Sequence, residues 1–435
     1  MILSRLLLFI SIALIPLQVF AIPVRSTLLD ISVVFFILCY FASSISSLKI
    51  FGLSFIALIA YSFFASGIWS ISVPLVRIIS SSFFFSFLFS VYFRGKNLPS
   101  VDIKLVFIAI DCSTILSFIS LLMFWIGLNP FDRTGVLFSE RSFACLFYCA
   151  SFSFYLFEYF QLSSKFSNVR AYYVLFSLLI CLSGVLSFSS IHPFSLLIAL
   201  LIVLLPLIYK ALLKIFSSSR ISQSILYLIL FLIPFFIIFV PLLLSTEHLA
   251  DRFLSLFGQT VEVNLSSLVY LSGLYQLSSS LELCPLTGCG AGSPGYLGVN
   301  ILSYISRLTP NVYMAELASR INTYDLYSLF FRSIVELGPI IGLLACLLVL
   351  LRLARSFNFS PSNSDIQSCK SLCISSFQCQ PINFFRAANS ILIWSLVFLV
   401  GSLLKEPHLF RSITFVPISL GLWISGNLRV CRKTA

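Results

Sequence analysis

Apolar runs of about 20 residues, each long enough to cross the hydrocarbon core of a bilayer, follow one another along almost the whole chain. Read with that length rule, the 435 residues predict twelve spans, at about 3–24, 28–48, 50–66, 72–93, 104–128, 142–162, 172–189, 192–213, 225–245, 327–351, 387–404 and 408–426. Only 10% of the residues are charged, against about 25% in a soluble globular protein, so the chain could not clothe its own surface for water. A soluble enzyme, a disordered chain and a secreted disulfide scaffold are thereby excluded. Cys39, Cys112, Cys145, Cys149, Cys181 and Cys346 sit within apolar runs, where a thiol acts as a small hydrophobe. The stretch from Leu3 to Val24 has only Arg5 near its start, no small-residue cleavage site, and further spans directly behind it. It reads as a first span, not a signal peptide.

The fold expected is therefore all-α: a polytopic integral membrane protein of about twelve transmembrane helices. Residues 1–245 hold the first nine, 246–326 form a large structured external loop, and 327–435 hold the last three with a cytoplasmic loop at 353–386.

The net charge of +12 divides by side. With the N-terminus inside, seventeen of the 27 basic residues fall on the cytoplasmic face, from Arg5 and Lys49 to Arg432 and Lys433. Nine fall outside: Arg25, Arg133, Arg141, Arg252, Arg307, Arg320, Arg332, Lys405 and Arg411. Arg77 and Asp111 lie within spans, and of the other acids only Asp102, Glu158 and Asp365 are inside. This alternation follows the positive-inside rule and places both termini in the cytoplasm. The surplus is a topology signal, so the lipid bilayer is the expected surroundings and no nucleic-acid partner is.

Two loops are long. The cytoplasmic one carries Cys369, Cys373 and Cys379, but no fourth ligand and no nearby His, so a polar loop is favoured over a zinc site. In the external one, Leu265, Leu268, Val269, Tyr275 and Leu281 predict one amphipathic helix, and Met314, Leu317 and Ile321 another. Tyr296, Tyr304, Tyr313 and Tyr324 suit a membrane interface or stacking on sugar rings. Between the two helical patterns stand Gly288, Gly290, Gly292 and Gly295, read either as a tight turn or as an anion-cradling nest that lacks a following Lys. For Cys284 and Cys289, external and five apart, a disulfide closing a small loop and a pair of free thiols both remain open.

No cofactor motif occurs, so the informative residues are charges held near the outer leaflet. Charges in spans are costly and usually face a cavity or a partner. Arg77 stands just below the outer end of the fourth span. Arg332 and Glu336, four apart, share a helix face and are expected to pair. Lys405, Glu406, His408 and Arg411 crowd the last outer turn, and Asp132, Arg133, Glu140 and Arg141 the turn after the fifth span. Singly, each is more often a snorkelling or salt-bridged residue than a catalytic one. Together they describe an outward-facing cavity rich in arginine, the side chain suited to bidentate grip on phosphate or diphosphate. No Asp-x-Asp pair occurs, so a diphosphate leaving group stabilised by arginine, with no metal, is the simpler expectation.

Three patches carry a family resemblance. Arg133-Thr-Gly135-Val-Leu-Phe138-Ser-Glu140-Arg-Ser142-Phe-Ala144 resembles the R-x-G-x-F-x-E-P-S-x-x-A stretch of O-antigen polymerases and the related O-antigen ligases. Leu283-Cys-Pro285-Leu-Thr-Gly288-Cys-Gly290-Ala-Gly292 resembles the P-x-x-G-x-G-x-G element of their large external loop. Tyr324-Asp325-Leu-Tyr327, followed by Glu336-Leu-Gly338-Pro-Ile-Ile-Gly342, resembles their E-x-G-x-x-G return into the membrane. Order, spacing and the twelve-span plan agree over most of the chain. The departures are Arg141 where the first motif has proline, no Arg in Ser187-Phe-Ser189-Ser190-Ile-His192, and no histidine just before the E-x-G helix. The missing histidine favours a polymerase over a ligase.

What the resemblance implies is a metal-independent glycosyltransferase with no cofactor, acting on undecaprenyl-diphosphate-linked oligosaccharide at the periplasmic face of a bacterial inner membrane. A chain-length regulator is an implied partner. Arg77, Arg133, Arg252, Arg332 and Arg411 are the candidates for diphosphate and sugar binding, with Tyr327 beside them. Asp325 is the first choice of general base and Glu140 the second, while Gly288, Gly290 and Gly292 shape the loop. The rival expectations are a ligase that moves finished chains onto lipid A-core, and a polysaccharide-lipid flippase. A transporter usually shows an internal repeat and lacks an ordered external loop; this chain shows no repeat.

Overall fold

The computed structural model describes residues 2–18, 22–24, 27–44, 47–94, 101–126, 141–161, 172–180, 265–320, 326, 328–356, 381–404 and 411–433. They are helical apart from turns, short connecting segments and one hairpin, β1 (Ile22–Val24) with β2 (Thr27–Leu29), in which Pro23 faces Leu28. Of the twelve expected spans, the one at 192–213 and the one at 225–245 lie outside the described residues, as do the second half of 172–189 and the loop segment 246–264.

Five helices match expected spans closely: α3 (Ser47–Ile68), α4 (Leu75–Arg94), α5 (Ile103–Trp125), α6 (Arg141–Gln161) and, near the C-terminus, α12 (Pro381–Leu404). Among the described residues, stretches of α3, α4, α5 and α12 are long and apolar enough to cross a membrane, and four shorter apolar helices accompany them. The outer faces agree with that composition. On α3, Leu53 is 75% exposed, with Ile56 and Phe64 close behind. On α11 (Pro339–Ser356), Ile340, Ile341, Leu343 and Leu344 are exposed as well. Apolar faces this continuous are suited to lipid and not to water. This is an assembly of apolar helices built for a bilayer.

Two expected spans take a different form. The first is broken: α1 (Ile2–Ala13) covers twelve residues, about 18 Å at 1.5 Å per residue. It ends in tight turns, with Leu17 N–H bonded to Leu14 O and Gln18 N–H to Pro16 O. Pro16 supplies no N–H to continue the ladder, and Pro23 follows in the hairpin. α2 (Ile31–Ser43) then begins after Asp30. The tenth is folded back on itself. α10 (Leu329–Leu337) stops at Gly338, whose φ of 86° is open to glycine and strained for other residues. Pro339 then opens α11, where its missing N–H costs nothing. In one straight helix Ser333 and Gly342 would lie about 13 Å apart along the axis. Here a Cβ on Gly342 would strike the Ser333 backbone.

The main core is aromatic. Phe36 of α2 meets Phe87 of α4 and both Phe415 and Trp423 of α13 (Ser412–Lys433), each with ring centroids 6.4 Å apart and edge-on. Such edge-to-face contacts add to the burial of the rings themselves. Elsewhere, α7 (Leu265–Leu283), α8 (Ile301–Ile305) and α9 (Val312–Arg320) build a second small core from Leu268, Val269, Ile301, Ile305, Ala315 and Ala318. The segment 265–320, expected as part of a large loop, is therefore structured. On α9 the two alanines are buried and Met314 is only partly buried beside them.

Ion pairs fasten helix ends. Arg411 Nη1 lies 3.0 Å from Asp30 Oδ1, both buried. Arg386 Nε lies 3.2 Å from Glu158 Oε2, joining α12 to α6, and Ser390 donates to the same carboxylate. Arg352 stacks 4.4 Å from the Tyr92 ring and donates to Ser425 Oγ at 2.8 Å. Removing one member of a buried pair strands the other charge, so Arg411→Ala is expected to cost about 3–5 kcal/mol. The double replacement Asp30→Leu with Arg411→Met should recover most of that loss. Thermal unfolding of the wild type and the two purified variants in detergent checks this, and a double variant no better than Arg411→Ala would contradict it.

Candidate functional site

Serine 81 lies at the centre of the cluster that the sequence pointed to from two directions. Its hydroxyl accepts from Arg332 Nη2 at 2.9 Å and donates to Glu336 Oε1 at 3.2 Å. Arg332 Nε reaches the same carboxylate oxygen at 2.8 Å, so the expected pairing along α10 is present. Arg332 is 2% exposed and Glu336 not at all. Helix α10 carries the pair because Ser328 caps it, its Oγ accepting from Phe331 N–H. Arg77, also buried, stands one turn before Ser81 on the same face of α4.

The glycine loop closes over this cluster. Three of its glycines meet backbone, which only a residue without Cβ allows. Gly288 and Gly338 face one another: a Cβ on either would collide with the main chain of the other's segment. A Cβ on Gly290 would come within 3.0 Å of Ser62 O in α3, and one on Gly292 within 2.6 Å of the Arg77 carbonyl carbon. All three hold positive φ, so the contact and the conformation both call for glycine. Hydrogen bonds lock the seat. Cys289 N–H donates to Val335 O at 2.8 Å, and Ala291 N–H to Ser62 Oγ at 3.0 Å. Tyr61 donates to Thr287 O, and Trp69 Nε1 to Thr287 Oγ1 at 3.2 Å. The backbone of Gly292 contributes an interaction to the Glu336 carboxyl. Cys284 and Cys289 are joined in a disulfide, which settles the alternatives left open above.

Beside the cluster lies an apolar cavity of about 720 Å³. Helices α3, α4, α10 and α11 line it with residues such as Leu53, Phe85, Leu88, Ile341 and Leu344, and α12 and α13 add Leu399, Leu403 and Ile418. It reaches Tyr61, Ser333 and Leu337, which border the seat of the glycine loop. The apolar cavity thus lies next to a compact group of two arginines, one glutamate and one serine, with the Gly292 backbone against it. Chemically, the cavity suits a hydrocarbon chain, and the arginines lie beside it, outside its lining. Among the described residues, no three His, Cys, Asp or Glu side chains gather as metal ligands.

Of the candidate residues, Arg77, Arg332, Gly288, Gly290 and Gly292 come together here. Arg411 does not join them through any of these bonds; its guanidinium is engaged with Asp30. Asp325, Glu140, Arg133, Arg252 and Tyr327 lie outside the described residues. Of the interface tyrosines, Tyr304 stacks on Tyr275 with centroids 4.2 Å apart, and Tyr313 is 72% exposed. Ser81 and Ser62 were not anticipated. Ser81 had one faint signal, its place four residues after Arg77; Ser62 had none. Compared with protein-family models and with curated proteins, the sequence gives no match.

Two outcomes test this geometry. Gly288→Ala and Gly292→Ala should unseat the loop, whereas Gly298→Ala, with positive φ but open space around it, should cost only about 1–2 kcal/mol of strain. Thermal melts of the three variants rank them, and equal losses would argue against the close approach. Separately, Glu336→Ala and Arg332→Ala should each destabilise by about 3–5 kcal/mol, and the pair Arg332→Met with Glu336→Leu by clearly less. Additive losses in that double-variant cycle would mean that the two side chains do not act as a pair.

Proposed function

We propose that the protein is an O-antigen-type polysaccharide polymerase, an inverting glycosyltransferase of about twelve spans. Its substrates are undecaprenyl-diphosphate-linked oligosaccharides, met at the periplasmic face of a bacterial inner membrane. The observation that carries the reading is the meeting of two sequence patches that bear the resemblance. Gly288 of the external-loop patch and Gly338 of the E-x-G patch touch backbone to backbone. That contact closes over Arg332, Glu336 and Ser81 at the side of an apolar cavity. A lipid diphosphate has the two matching parts: a long hydrocarbon tail and a headgroup that arginine grips well. The Cys284–Cys289 disulfide supports the periplasmic placement of the loop, since such bonds persist in oxidising compartments.

In this mechanism an acceptor sugar hydroxyl attacks the anomeric carbon of the lipid-linked donor chain. The bond to the diphosphate breaks, undecaprenyl diphosphate leaves, and the configuration inverts. Arg77 and Arg332, with Arg133 and Arg252, stabilise the charge that develops on the leaving group. Glu336 and Ser81 hold the Arg332 guanidinium in place while it does so. Asp325 takes the proton from the hydroxyl, Glu140 being the second choice, and the base must come within hydrogen-bond reach of it.

Supplying the purified protein with lipid-linked single repeats separates the three readings. Longer lipid-linked chains are expected of a polymerase. Transfer to lipid A-core without lengthening would point to the ligase, and translocation across vesicles without any transfer to the flippase. Within the same assay, Arg332→Lys keeps the charge but loses the forked geometry, and a fall in rate of about tenfold to a hundredfold is expected. Wild-type chain lengths from Arg133→Ala and Asp325→Ala at normal protein levels would remove those two residues from the mechanism.

A further inference from the structure

The disulfide that closes the glycine loop is buried, Cys284 at 1% and Cys289 at 0% exposure. The nine residues that begin at Cys284 touch three helices: α3 through Tyr61 and Ser62, α4 through Arg77, and α10 through Val335 and the Gly338 cap. Three of those nine are glycines with positive φ, so this segment loses more backbone freedom on seating than an ordinary loop does. A tie across it removes part of that cost beforehand. Once the loop is seated, the sulfurs lie beneath it, and thiol–disulfide exchange needs access to a sulfur.

We propose that Cys284–Cys289 is an assembly clasp, made once by a dithiol–disulfide oxidase on the loop's side of the membrane and required for the loop to close over Arg77, Arg332 and Glu336. One cysteine thiolate attacks the oxidase's disulfide, and the second displaces the resulting mixed disulfide. The two thiols lose two electrons and two protons, and the oxidase leaves as a dithiol. The clasp is not a reversible switch, because burial shields the finished bond. The inference goes beyond glycosyl transfer and does not depend on it, since neither readout below uses a sugar substrate.

The test uses the full-length protein in its membrane. The finished protein is held in dithiothreitol, blocked with iodoacetamide, then denatured, reduced and labelled with N-ethylmaleimide. Peptide mass spectrometry is expected to find only the maleimide on Cys284 and Cys289. Acetamide on both would overturn the proposal. In the Cys284→Ser, Cys289→Ser double variant, backbone amides 289 and 291 should exchange with deuterium at least about tenfold faster than in the wild type, with an unchanged gel-filtration profile. Should that variant fail to assemble, wild-type protein synthesised in the presence of dithiothreitol is measured in its place, with the same faster exchange expected. Wild-type exchange rates in the unbridged protein would overturn the clasp.

Discussion

Backbone pressed against backbone, Gly288 on Gly338 and Gly292 on Arg77, is the contact from which the rest of this site follows. A Cβ at either place would hold the loop away from α10 and α4 and leave Arg332 and Glu336 facing a gap. With hydrogen in its place, the loop seats against α10 and α4 and brings the Gly292 backbone to Glu336. Gly338 has a second task in the same position. By ending α10 in a conformation that other residues resist, it lets α11 fold back until Gly342 meets Ser333. One residue therefore turns the helix and receives the loop.

Inside that closure the electrostatics follow from burial. A lone guanidinium or carboxylate in an apolar helix bundle is expensive, and Arg332, Glu336 and Ser81 offset that expense for one another through three short bonds. The same solution recurs where Arg411 meets Asp30, where Arg386 meets Glu158, and where Arg352 meets Tyr92 and Ser425. What sets the first cluster apart is its surroundings: a second buried arginine one helical turn away, the Gly292 backbone of a disulfide-closed loop, and an apolar cavity alongside. The other three fasten helices to one another.

The positions of α3, α4, α5, α6 and α12 were legible because a helix in a bilayer needs an uninterrupted apolar run, and such runs are visible without knowing any neighbour. The Arg332–Glu336 pair was legible for a similar reason, since spacing by four is a local property of a helix. The breaks in the first and tenth spans were harder. Pro16 and Gly338 sit within otherwise apolar stretches, and hydropathy does not register a missing donor or a left-handed φ. Nor could the pattern show that Ser81 and Ser62 are contact points, because a serine in a span looks the same whether it bonds its own helix or another. Arg411 is the converse case: its charge was conspicuous, and its partner Asp30 lay 381 residues away.

By itself the sequence determined the helical class, the bilayer as surroundings, and the residue types near the site, because burial of apolar surface and local spacing act over a few residues at a time. Only the tertiary structure decided which patches meet: that Gly288 seats on Gly338, that Cys284 bonds Cys289, and that Ser81 joins Arg332 to Glu336. Those outcomes depend on how closely two backbones can approach across the bundle, a distance set by every side chain between them and by no short stretch of chain.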